Sequence, residues 1–118
     1  MKWDREMVSE EDLLLAIEKM IERAEDPKIA RRFTNYSKSL LMSFQDIELD
    51  IIIIFEDGKG TVQKGTCDSP SMKVTTDSKT IIDILGGDLS AMRAFMTGKI
   101  KADGPAKDLM KLQHLLKA

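Results

Sequence analysis

Phe95-Met-Thr-Gly98-Lys99-Ile100-Lys101-Ala102-Asp103-Gly104, with Pro105 to Leu116 behind it, is the stretch that decides the fold. Ile100 and Ala102 alternate with Lys99, Lys101 and Asp103, so the period of two predicts a short strand over 99–103, closed by a glycine on each side. Gly104-Pro105 then starts a helix, with proline at or near its first position. In that helix Ala106, Leu109, Met110, Leu112, Leu115 and Leu116 cover an arc of about 220°, where a core-facing stripe needs little more than ~100°. Leu89, Ala91, Met92, Ala94, Phe95 and Met96 cover a similar arc just upstream. One side of each helix packs on a sheet. The remainder faces the other helix, a partner or an apolar ligand, and periodicity alone leaves all three open. Met92, Met96 and Met110 suit a ligand of variable shape, and methionine equally fills gaps in ordinary cores.

Working outward, Ser9 caps a helix with Asp12 at the third position after it, and Leu13, Ile17, Met20, Ile21 and Ala24 recur at helical spacing. Asp26-Pro27 ends it and opens a short second helix carrying Ile29, Ala30 and Phe33. Leu40, Met42 and Phe44 alternate with serines, a half-buried strand. The next strand is predicted over Ile47 to Glu56. Ile47, Leu49, Ile51, Ile53 and Phe55 share one face, and Ile52 and Ile54 make the middle of the other face apolar too, as in a strand covered on both sides. Asp57-Gly58-Lys59-Gly60 signals a hairpin, followed by a weaker strand from Thr61 to about Lys64. Met72 to Thr76 reads as a further strand. Ser78 or Thr80 caps a helix running to Leu85 and broken by Gly86-Gly87, and Asp88 caps the next, Leu89 to Met96.

A chain of 118 residues, 42% apolar and 32% charged, fits one folded domain over residues 1–118. Its longest apolar run, Ile51 to Phe55, falls far short of the ~20 residues that span a bilayer. The N-terminus, Met-Lys-Trp-Asp-Arg-Glu, is too charged for a signal peptide, and the single Cys67 excludes an internal disulfide, so a cytoplasmic protein is expected. The one histidine, His114, and the one cysteine make no zinc site of the usual kind and no compelling catalytic pair. Asp57-Gly58-Lys59-Gly60-Thr61 lacks the spacing of a phosphate loop. Nothing implies a cofactor, and the few aromatics are not interleaved with basic residues, so no nucleic-acid partner is expected. Charge is nevertheless uneven. Residues 1–89 carry 12 Lys/Arg and 18 Asp/Glu, a net of −6, whereas residues 90–118 carry six basic and two acidic residues, a net of +4. Such a quarter suits an anionic partner, or is simply a solvated helix surface.

The element order and the C-terminal motif resemble the sterol carrier protein family, the nonspecific lipid-transfer proteins. The resemblance spans about residues 9–118 and rests on Gly98-Lys99-Ile100-Lys101-Ala102 with Gly104, on Leu109-Met110-Lys111-Leu112, on Met72 to Thr76 before the helix ending at Gly86-Gly87, and on the Asp57 to Gly60 hairpin. It implies an α+β fold: a five-stranded, mostly antiparallel sheet covered by helices, with an apolar tunnel between them. It implies a non-enzymatic carrier of a fatty acid, fatty acyl chain or similar amphiphile. The expected tunnel lining is Ile51, Ile53, Phe55, Ile84, Leu85, Met92, Phe95, Met96, Leu109, Leu112 and Leu116. Lys99, Lys101 and Lys111 are the candidates for an anionic head group or an anionic membrane surface. The competing expectation is the same fold used as an interaction module, its apolar helices forming a homodimer or another interface. Two features depart from the family pattern: Asp50 to Phe55 is unusually apolar and lacks the family's tryptophan, and Leu116-Lys117-Ala118 is not a peroxisomal address. Neither a peroxisomal location nor sterol as the ligand therefore follows.

Overall fold

The computed structural model describes residues 9–117. The charged segment Met1 to Glu6 and the terminal Ala118, both used above, lie outside the described residues. The elements are α1 (Glu10–Glu22), α2 (Pro27–Ala30), β1 (Ser39–Phe44), β2 (Leu49–Glu56), β3 (Lys59–Lys64), β4 (Met72–Thr76), α3 (Ser78–Leu85), α4 (Ala91–Met96), β5 (Lys101–Asp103) and α5 (Ala106–Lys117), with single 3-10 turns at Arg23–Glu25 and Arg31–Phe33. The five strands form an open sheet in the order β3-β2-β1-β4-β5. All pairs are antiparallel except β1–β4. The fold is α+β, as the sequence predicts.

Local chemistry accounts for the boundaries. The Ser9 hydroxyl accepts from the Asp12 amide and Asp26 from the Lys28 amide, each satisfying a donor at a helix start. The helix-start rule misses twice further on. Asp77, not Ser78 or Thr80, accepts from the Thr80 amide and caps α3. Ser78 is instead buried, and its amide and hydroxyl both bond the Asp46 carboxylate. Ser90, not Asp88, caps α4, which therefore begins at Ala91. When several cap-forming residues stand in a row, type alone does not choose between them. Asp57 (φ 51°) and Gly58 (φ 82°) form a two-residue hairpin turn with both residues left-handed, so Glu56 pairs with Lys59 and β3 begins two residues earlier than expected.

The predicted strand from Ile47 is also shorter. Residues 45–48 turn, with Glu48 at φ 50°, and β2 starts at Leu49. From there its burial alternates strictly. Leu49, Ile51, Ile53 and Phe55 are buried on the front face, where the helices gather around Leu13, Ile17, Met20, Phe33, Ile81 and Leu115. Ile52 and Ile54, on the back face, are only half-buried. The connection from β3 to β4 must pass β2 and β1 to reach its place in the sheet. Its two anchors mark the route: Gly65 bonds the Asp50 carbonyl and sits against Ile52, and Ser71 and Ser39 exchange amide-to-hydroxyl bonds. The seven residues from Gly65 to Ser71 are thus anchored beside the second apolar stripe of β2, the face that the sequence pattern expects to be covered.

Candidate functional site

α5 lies over the front face and is tied down at both ends. At its N-terminal end, Asp108 is almost fully buried, accepting from the Tyr36 hydroxyl at 3.0 Å and pairing with Lys38 Nζ at 3.3 Å. At the other, Arg23 donates to the Leu115 carbonyl at 2.8 Å. Tyr36 itself belongs to a packed trio with Phe33 and Phe55, ring centres 5.3–5.5 Å apart, and Lys111 Nζ stands 5.5 Å from its ring centre. Burial first, and then the hydrogen bond and charge of Asp108, hold the Tyr36 phenol well above its ordinary pKa. Sequence reasoning did not single out Tyr36, Lys38 or Asp108. The one available signal was Asp108 at 200° on the α5 wheel, inside the arc of its buried leucines.

Between α3, α4 and α5 runs an apolar groove of about 400 Å³, lined by Ile84, Leu89, Ala91, Met92 and Leu116 with Gln113. That volume lies within the range of small-molecule sites. Three of the eleven predicted lining residues, Ile84, Met92 and Leu116, meet there. Leu85 instead lines a second groove of about 330 Å³, between α1 and α3, with Leu15, Ala16 and Ile82. Ile51 and Ile53 sit fully buried in the core and line neither groove. Phe55 and Leu112 border a closed apolar space with Phe33, Tyr36, Leu40, Met72 and Leu115. Phe95 and Leu109 are half-buried against the core, and Met96 stands on the open side of α4. The apolar face beneath α5 is therefore filled by its own side chains, and the open apolar space lies at the edges of the helical layer.

The three predicted lysines separate. Lys99 and Lys101 share a polar cleft with Gln45, Thr75, Thr76, Asp77, Gly98 and Asp103. Lys111 lies elsewhere, packed on the Tyr36 ring. Cys67 belongs to the loop between β3 and β4, and His114 to α5. Among the described residues no group of His, Cys, Asp or Glu is arranged to hold a metal ion, and no helix is long and apolar enough to cross a membrane.

An open five-stranded sheet with one parallel pair, helices on one face and apolar grooves among those helices define a domain of the sterol-carrier type. The chain belongs to the SCP-2 sterol transfer family, whose model matches residues 17–117. Solved structures carry the same fold. SCP2L2 from Aedes aegypti, in its palmitated form, superposes with a TM-score of 0.64 at 22% identity, covering 87% of this chain and 92% of that one. The UbiJ-SCP2 ubiquinone synthesis protein superposes with a TM-score of 0.65 at 12% identity, covering 88% and 92%. The sec-alkylsulfatase Pisa1 from Pseudomonas sp. matches at 24% identity and a TM-score of 0.63 over 75% of this chain, which spans only 14% of that enzyme. Among curated proteins none matches the sequence significantly. Lipid binding or transfer is the function associated with the family as a whole.

Proposed function

We propose that this domain is a non-enzymatic carrier that takes a fatty acid, fatty acyl chain or similar amphiphile into the groove between α3, α4 and α5. The observation that carries the reading is that groove, apolar on α3 (Ile84), on α4 (Ala91, Met92) and on α5 (Leu116), in a chain of this family. The palmitated state of the Aedes aegypti protein supports an acyl chain as the ligand class. The groove serves as the mouth. The chain's tail continues beneath α5 as that helix shifts, toward Leu109, Leu112 and Phe95 and onto Phe55, Ile53 and Ile51. Burial of apolar chain contributes about 0.8 kcal/mol per methylene, so eight methylenes supply roughly 6 kcal/mol before the costs of association. No polar contact is required for that, which makes the site tolerant of chain length. Lys99 and Lys101 stand as the head-group candidates on the far side of α4.

The test is displacement of a fluorescent fatty acid from delipidated protein, wild type against Met92→Glu. Met92 is more than half exposed, so the glutamate is tolerated by the fold while placing a charge at the groove wall. We expect micromolar binding by the wild type and at least a tenfold loss in the variant. Absence of binding in the wild type, or equal binding by both, overturns the reading. Mass spectrometry of an organic extract of the purified protein identifies the ligand class.

A further inference from the structure

We infer that the outer face of α4 and α5 is a docking surface for an anionic lipid bilayer, which rests on the carrier reading above and gives its groove a membrane to open onto. The observation is a set of exposed methionines on α4 and α5, where a water-facing surface has no use for them. Met92 is 56% exposed, Met96 80% and Met110 60%, three of the four large apolar side chains so exposed among the described residues. Met92 walls the groove, and Met96 lies one turn further along α4. Met110 lies one turn before Gln113, which lines the groove from α5. A helix buries its useful apolar side inward, as α4 does with Ala91 and Ala94. Flexible thioethers left outward around an apolar opening suit insertion among acyl chains.

Charge selects the kind of bilayer. Arg93 shares the open side of α4 with Met92 and Met96, Lys99 follows that helix directly, and Lys107 lies near Met110 on the exposed side of α5; all three are exposed. α4 has no acidic residue, and the single acid of α5, Asp108, is buried and paired with Lys38. Asp88, in the turn before α4, and Asp103, on β5, are the exposed acids nearby in sequence. The rest of the chain is acidic, with 12 basic against 18 acidic residues over 1–89. An anionic surface therefore attracts this face and repels the others, which orients the groove toward the lipid.

The experiment is co-sedimentation of the full chain with phosphatidylcholine vesicles, with and without phosphatidylglycerol, at low and high salt. The variants are Arg93→Glu/Lys107→Glu and Met96→Ser/Met110→Ser, none of which lines the groove or belongs to the head-group candidates. We expect binding to the anionic vesicles alone, reduced by at least about thirty-fold by the charge reversals and weakened by high salt. The methionine pair should weaken it several-fold, with circular dichroism unchanged. Fatty-acid binding measured without vesicles should be the same in all three proteins, so failure of docking and failure of the carrier reading are separately visible. Equal binding to neutral and anionic vesicles, no binding to either, or variants indistinguishable from wild type overturns the inference. So does a stable dimer by light scattering that Met96→Ser/Met110→Ser dissociates, which would assign this face to a second copy of the chain.

Discussion

Tyr36 is the chain's single tyrosine, so its ionisation can be followed alone by near-ultraviolet absorbance. A free tyrosine titrates near pH 10. In the folded protein, burial and the Asp108 carboxylate raise that value. The neutral phenol is thus favoured by folding. Its contribution is fully present below about pH 10 and is lost as the pH climbs through the interval between the unfolded and folded values. At pH 11 an unfolded tyrosine is ionised about ten to one, which costs the native state about 1.4 kcal/mol relative to neutral pH. Tyr36→Phe removes this alkaline term. It also deletes a 3.0 Å hydrogen bond to a buried carboxylate, worth about 1.5–3 kcal/mol. The wild type should therefore exceed the variant by that amount at pH 8, and the gap should narrow by about 1.4 kcal/mol by pH 11. Lysine titration affects both proteins alike and cancels in the difference. Urea unfolding of the pair across this pH range measures the gap. A phenol midpoint near pH 10 while circular dichroism remains native, or a gap that does not change with pH, would refute the buried Tyr36–Asp108 contact.

Two further outcomes bear on how α5 is held. Asp108→Ala strands the Tyr36 hydroxyl in the core and should cost about 2–3 kcal/mol by urea unfolding, whereas Lys38→Met, removing a partner whose side chain is 41% exposed, should cost less than ~1 kcal/mol. Gly104→Ala places a methyl 2.7 Å from Met72 Cγ and 3.2 Å from the Ser71 carbonyl, at φ 149°, and should cost about 1–3 kcal/mol. Gly87→Ala, at φ 86° with open space around it, carries the backbone penalty alone and should cost about 1 kcal/mol. Equal costs at the two glycines would contradict the close approach of the β5–α5 turn to β4.

Much of the fold was legible because its signals are local. The alternation in Leu40 to Phe44 and Met72 to Thr76, the Asp57-Gly58 turn and the Ser9 cap each depend on residues a few positions apart, and each appears where expected. Long-range geometry was not legible. The apolar excess of β2 told of a half-buried back face without telling that Gly65, at the start of the β3–β4 loop, would stand against it. The wide arcs of α4 and α5 counted apolar side chains without saying which would close against the core, as Leu112 and Leu116 do, and which would face outward, as Met96 and Met110 do. Asp108 looked like one more surface charge on a basic helix. Its place inside the leucine arc of α5 hinted at burial, but the partner that satisfies it, Tyr36, lies 72 residues away, and no pattern within α5 names that partner.

The same separation has a consequence for how the molecule is made. The clamps described above join α5 to the first third of the chain: Tyr36 and Lys38 to Asp108, and Arg23 to Leu115, 92 residues apart. A ribosome delivers α5 after every other described element. Until it emerges, the aromatic trio and the front of β1 and β2 lack that lid, and the nascent protein exposes oily surface that the finished one hides. These contacts close only once α5 has been made. A point substitution in that last helix will therefore show itself first in yield from the translating cell, before it is visible in the melting temperature of whatever protein survives.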